Sequence, residues 1–281
     1  MRIKFWGTRG SIAVPGRHTI LYGGNTACLE ITTQNRKKVI VDAGTGIRAL
    51  GAKMVAEDEE IEALLLITHI HWDHILGFPF FAPIFKQSSK IMIDGYSTCM
   101  KGLKSTFDNR MGDGFFPIKF DDLKADIRYI ERLGQGGLEI DGTMIDTIPL
   151  RHPQGGLGFR FRQGEKKLVF ITDNELKDDA CKGGFHEKYI RFCKDADILI
   201  HDSQYTPQEI GERKGWGHSD YQTTFELAHR ANVKRLILFH HDPSRKDPEV
   251  TAIKVQCEEL ASKVGSRMII EAAREESELV L

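Results

Sequence analysis

The chain has 281 residues, of which 41% are hydrophobic and 28% charged, the balance of a globular protein with a buried core rather than of a disordered chain. A formal net charge of -1 excludes a globally basic nucleic-acid binder, so a basic stripe would have to be local. The five cysteines (Cys28, Cys99, Cys181, Cys193, Cys257) never fall as CxxC, and no apolar run opens the chain or reaches membrane-spanning length, which predicts a cytoplasmic protein without a disulfide framework or an anchor.

In chain order, strand-like runs occur at Ile3–Trp6, Cys28–Thr32, Val39–Asp42, Leu64–Thr68, Ile91–Asp94, Met144–Pro149, Phe159–Arg162, Leu168–Thr172, Ile198–His201, Leu236–Phe239 and Met268–Glu271. Helical spacing is clearest at Tyr221–Ala231, through Phe225, Leu227, Ala228 and Ala231. It recurs at Pro248–Val264, where Val250, Ile253, Cys257, Leu260, Ala261 and Val264 share one face. Pro248 fits a first helical turn and Gly265 a helix stop. Early consecutive strands followed by strand–helix alternation predict an α/β protein, a four-layer αββα sandwich in one domain over 1–281.

Several strongly apolar strands run straight into ionisable residues: Thr68-His69, Thr172-Asp173, His201-Asp202 and His240-His241. Runs so continuously apolar are buried on both faces, and their ends meet at one rim of a sheet. That repetition predicts a site there. Within it, Thr68-His69-Ile70-His71-Trp72-Asp73-His74 offers four metal ligands without a thiolate, which suits zinc, manganese or iron. On an extended strand end, His69 and His71 point the same way. The chain must then turn to bring Asp73 and His74 to a second position. One ion does not readily use all four, whereas two ions ~3.5–4 Å apart can.

The HxHxDH pattern resembles that of the metallo-β-lactamase superfamily, and the resemblance extends over most of the chain. It is closest to the phosphodiesterase branch, which includes ribonuclease Z and the cyclic-phosphate phosphodiesterase of phosphonate breakdown. Phe5–Ser11, Gly23-Gly24-Asn25-Thr26, Asp42–Gly46 and the stretch from Gly217 to His240 carry it beside Thr68–His74. The resemblance implies the metallo-β-lactamase fold and two divalent metal ions, zinc first, with manganese or iron as alternatives. It places His69, His71 and His152 at one metal, Asp73 and His74 at the other, and Asp173 as the bridging carboxylate. The last ligand follows Leu236–Phe239, where two histidines stand together; His240, first after the strand, is the choice and His241 the runner-up. His218 takes the family's proton-donor position with Asp202 to orient it, and Asp73 is counted with them among the catalytic residues.

Two cations acidify water toward a pKa of ~7 and neutralise charge on a phosphoryl oxygen, which matches a phosphodiester. The expected activity is hydrolysis of a small or cyclic phosphodiester. The alternatives are a ribonuclease Z-like RNA nuclease, another hydrolase of the superfamily and a metal-binding sensor without turnover. The excursion at about 96–137, read as a lid or dimer contact, has seven Lys/Arg and six Asp/Glu, which is not a basic RNA-binding arm. A homodimer is expected. Thr68 and Ser203 are expected behind the ligands, and Arg9 as a phosphate grip or a solvated loop arginine. Asn25 is expected near the metals, and His18, His186 and His229 at the surface.

Overall fold

The computed structural model describes residues 1–57, 60–95, 104–109, 111–112, 114, 116–176 and 187–281. Two seven-stranded sheets face each other. The first holds β1 (Arg2–Gly7), β2 (Cys28–Thr32), β3 (Lys38–Val41), β4 (Ile61–Ile67), β5 (Ser89–Gly95) and β6 (Asp126–Tyr129) in that spatial order, with β14 (Glu278–Val280) beside β1. The second holds β7 (Leu138–Ile140), β8 (Thr143–Pro149), β9 (Leu157–Gln163), β10 (Lys166–Ile171), β11 (Ile198–Asp202), β12 (Arg235–Phe239) and β13 (Ile269–Ala272). Four strands of each sheet pair antiparallel, β14-β1-β2-β3 in the first and β7-β8-β9-β10 in the second, and the remaining three join in parallel.

The apolar runs explain the layering. In β4, Leu64 and Leu66 pack between the sheets while Leu65 and Ile67 face outward; in β10, Leu168 and Phe170 face inward and Val169 and Ile171 outward. The inner core includes Phe5 against Phe239, with ring centroids 6.2 Å apart. Outside the first sheet, α1 (Ile47–Glu57) buries Ile47, Leu50 and Met54. Outside the second lie α3 (Glu187–Cys193), α4 (Tyr221–Arg230) and α5 (Asp247–Lys263). Both expected helices are present. Asp220 caps α4, accepting from Thr223 N at 2.9 Å, and α5 buries Val250, Ile253, Cys257 and Ala261 while Val264 is left exposed. The architecture is the αββα sandwich.

Within 96–137, residues 126–129 are β6, at the edge of the first sheet, so the excursion from the sheet ends before them. Cys28, Cys193 and Cys257 are buried free thiols, whereas Cys99 and Cys181 lie outside the described residues. Among the described residues no helix is long and apolar enough to cross a membrane.

Candidate metal centre

Strands β3, β4, β8, β10, β11 and β12 run in corresponding directions within their sheets, so their C-terminal ends open on one rim. Asp42, Asp173 and His240, each just past a strand end, adopt left-handed backbone with φ of 63°, 47° and 59°. Such corners cost ~1–3 kcal/mol each in non-glycine residues and persist where the surrounding packing over-determines them. Here they turn side chains from the strand axis into the space between the sheets. After β4 the chain passes His69 and His71 and enters the short helix α2 (Trp72–Ile75), which delivers Asp73 and His74. Gly10 lets the opening loop pass over His240, since a Cβ there would lie 2.3 Å from His240 Cε1. Gly217 has φ +84°, and a Cβ there would meet His152 Nδ1 at 2.0 Å.

Seven donors converge in two groups, His69, His71 and His152 in one and Asp73, His74, Asp173 and His240 in the other. Asp173 faces both: Oδ2 is 3.6 Å from His69 Nε2, and Oδ1 is 3.4 Å from His74 Nε2 and 3.2 Å from His240 Nε2. Asp73 Oδ2 lies 3.3 Å from His74 Nε2 and 3.2 Å from His240 Nε2, and accepts from Ser11 N at 2.7 Å. His152 Nε2 and His71 Nδ1 are 2.9 Å apart.

The other nitrogen of each ring is engaged from behind. His69 Nδ1 donates to Thr68 Oγ1 at 3.0 Å, and that hydroxyl donates to Asp42. His74 Nδ1 donates to Asp42 Oδ2 at 2.8 Å, His240 Nδ1 to Gln204 Oε1 at 2.9 Å and His152 Nδ1 to the Gly217 carbonyl at 3.1 Å. His71 is reversed, with Nε2 donating to Gln154 Oε1 at 2.6 Å. A proton fixed on the outer nitrogen leaves a lone pair on the inner one, the arrangement of a ligating histidine. His69 Nε2 and His74 Nε2 are buried without a hydrogen-bond partner. Buried ring nitrogens without a hydrogen-bond partner are costly, and a divalent cation is the group that would satisfy several imidazoles and two carboxylates together. The donor set fits such a cation.

The electrostatics set both carboxyls and two of the rings for ligation, while the carboxylates around His74 favour a proton on it that a bound cation would displace. Burial alone would raise Asp73 and Asp173, but the surrounding histidines hold both carboxyls well below the usual range. Burial depresses His69 well below the ordinary histidine value and His152 to about 4, which keeps their rings neutral. For His74 burial is outweighed by Asp73, Asp173 and Asp42, which raise it well above that value. His218, whose Nδ1 is 3.0 Å from Asp202 Oδ2, feels the same contest: burial lowers it, but Asp202, then Asp173 and Asp73, raise it to about 9. Asp202 also accepts from the backbone N–H of Gln204, Asn174 and Ser219 at 2.9, 3.3 and 3.3 Å, which fixes the loop carrying His218.

Several expectations change. Arg9 is neither a phosphate grip nor solvated: it is fully buried, and Nε donates to the Gly23 carbonyl while Nη1 donates to the carbonyls of Asp242 and Arg245, tying three loops together. Asn25 is spent on Glu275 and Thr45. Ser203 donates to the Phe239 carbonyl rather than standing behind a ligand, whereas Thr68 does stand behind His69. His241 points away from the cluster: its Nε2 donates to the Ala273 carbonyl at 2.9 Å, and burial, with Arg9 and His240 nearby, pushes its pKa down to about 3. His18 and His229 are exposed, and His186 lies outside the described residues. Sequence reasoning missed Gln154 and Gln204, which carry no pattern. It also missed the role of Asp42, although Asp42 ends an apolar strand as the other site residues do.

Known proteins share the family and fold of this chain. Residues 37–241 match the family described as "Beta-lactamase superfamily domain". The chain is 24% identical to a ribonuclease Z of Enterococcus faecalis over 92% of this chain and 93% of that protein. It is 30% identical to one from Sulfurisphaera tokodaii over 69% of this chain and 74% of that protein. Among solved structures, the metallo-β-lactamase fold protein YhfI from Bacillus subtilis superposes with a TM-score of 0.72 at 15% identity, covering 99% of this chain and 98% of that one. The chain thus belongs to the β-lactamase superfamily, in its phosphodiesterase branch of metal-dependent hydrolases with the metallo-β-lactamase fold.

Proposed function

We propose that the protein is a binuclear metal-dependent phosphodiesterase acting on a small or cyclic phosphodiester, with His69, His71 and His152 at one metal, Asp73, His74 and His240 at the other, and Asp173 shared. The carrying observation is a cavity of about 240 Å³ lined by His71, Trp72, Asp73, Asp173, His218 and His240, which joins both donor groups to one further histidine. When bound, two divalent cations supply Lewis acidity toward a phosphoryl oxygen and acidify water. The chain's own residues supply the rest. Asp202 orients His218 through Nδ1, which leaves Nε2 to hold the proton that a departing alkoxide needs. Asp42 and Thr68 keep the rings of His74 and His69 in register. Asp73, anchored by Ser11 N–H, holds its carboxylate against both His74 and His240.

RNA is the second reading, favoured by the names of the relatives above. Against it stands the balanced charge of 96–137, seven Lys/Arg against six Asp/Glu, which offers little to a phosphate backbone. A panel of bis(p-nitrophenyl) phosphate, cyclic mononucleotides, cyclic dinucleotides and a tRNA precursor, assayed with zinc and with manganese, separates the two. Turnover of a cyclic or small diester is expected. Cleavage confined to the tRNA precursor, with steep salt dependence, would install the RNA reading, and turnover of none would contradict both.

A further inference from the structure

The segment that carries the metal donors has a second face. Asp73 and His74 turn inward, whereas Trp72 on α2, Leu76 at its end and Phe80 in the 3-10 turn that follows are 66%, 47% and 54% exposed. They form one wall of a cavity of about 660 Å³, and Phe107, Met111 and Phe116 contribute to the other. Phe107 is held by stacking on Phe78, with ring centroids 4.1 Å apart, and Phe116 stands edge-on to Phe80 at 5.4 Å. Among the described residues that line the cavity, Thr106 is the one polar side chain. Contiguous exposed apolar surface of this kind marks a binding site, and the volume is that of a small-molecule pocket.

Trp72 lines this cavity and also the one at the metal donors. A molecule with its phosphoryl group among the donors therefore has its ester substituent at Trp72, and the next space is apolar. A flat ring can stack on the exposed indole and against Phe80, contacts that a charged group would not make with the described lining residues. We propose that this cavity is a subsite for a planar aromatic group carried by the phosphate's ester substituent, either as the aryl ester itself or as a base beyond the esterified sugar, so that the enzyme selects phosphodiesters by an uncharged ring near the scissile centre. The inference rests on the phosphodiesterase reading above. A nucleobase and a simple aryl group share the chemistry required.

Calorimetric binding to the metal-loaded protein tests it, with phenylphosphonate against methylphosphonate, and adenosine 5′-monophosphate against ribose 5-phosphate. Phenylphosphonate is expected to bind at least ~10-fold tighter than methylphosphonate, since burying most of one ring suffices for that factor. Phe80→Ala and, independently, Phe116→Ala should bring the ratio most of the way to parity. The same preference in the second pair assigns the ring to a nucleobase; its absence there, with the first pair intact, assigns it to an aryl ester. Equal affinities in the unmodified protein, or a preference indifferent to both substitutions, would overturn the subsite while leaving the metal reading intact. Failure of both phosphonates to bind would remove the reading on which it rests. Sedimentation of the same variants covers the remaining occupant: conversion of a dimer to monomer by Phe80→Ala would make this face a contact between two copies and overturn the proposal.

Discussion

His218 is where local geometry becomes a chemical role. Its Nδ1 is tied to Asp202 at 3.0 Å, its ring stacks on His240 with centroids 5.1 Å apart, and it lines the cavity at the metal donors. If it gives its proton to the leaving oxygen, His218→Ala should keep both metals and substrate affinity while kcat falls ~10²–10⁴-fold on a diester with an alkoxide leaving group. The loss should be much smaller on bis(p-nitrophenyl) phosphate, because p-nitrophenolate leaves without a proton. Equal losses on both substrates would assign His218 to phosphate positioning, and loss of metal would make it structural. Arg9 shows the opposite limit of residue-level reading. Its acceptors are backbone carbonyls at Gly23, Asp242 and Arg245, far away in sequence and independent of residue type, so no local pattern distinguishes it from a solvated loop arginine.

At the scale of elements, the strand ends carried most of the legible information. Continuous apolar runs at β4, β10, β11 and β12 identified strands buried on both faces, and the His or Asp that follows each identified the rim. The left-handed corner at His240 explains why only one of two adjacent histidines reaches the cluster: His240 turns in, and His241 resumes toward the Ala273 carbonyl. His240→Ala should lose one metal and nearly all activity. His241→Ala should retain both ions but lower stability by ~1–3 kcal/mol, the cost of stranding a buried carbonyl. Metal analysis and thermal melts of the pair check this, and the reverse pattern would put the proposed ligand register off by one. Six of the strands and α-helices described escaped the sequence reading, the short α2 and α3 among them. β7 and β14 are three residues long and β6 four, with little alternation to detect. α1 buries Ile47, Leu50 and Met54 at helical spacing, but it follows directly on Gly44-Thr45-Gly46, a stretch that reads as a tight turn, and Gly51 interrupts it. Gly51 is there for packing, since a Cβ would stand 2.7 Å from the Phe81 ring.

Taken whole, the molecule is two sheets of one topology, each with four antiparallel strands followed by three parallel joins, the first completed by β14 from the end of the chain. Under that correspondence β3 matches β10, and Asp42 and Asp173 occupy equivalent left-handed corners. They have diverged in use. Asp42 stands behind the cluster, holding Thr68 and His74, while Asp173 stands inside it, between His69, His74 and His240. The proposed centre therefore draws donors from both halves, His69 to His74 from the first and His152, Asp173 and His240 from the second. It can form only when the sheets are packed together. The sandwich and the first-half motif were legible because both are local in sequence; the strand ends hinted that Asp173 and His240 share a rim with His69, but His152 and the assignment of ligands across the halves were legible only through resemblance, because spacing does not relate them. The central claim is that the packed halves hold two cations. Metal content of the purified protein, measured after reconstitution with zinc and with manganese, tests it most directly. Close to two ions per chain is the expected result, and one or none would contradict the binuclear centre.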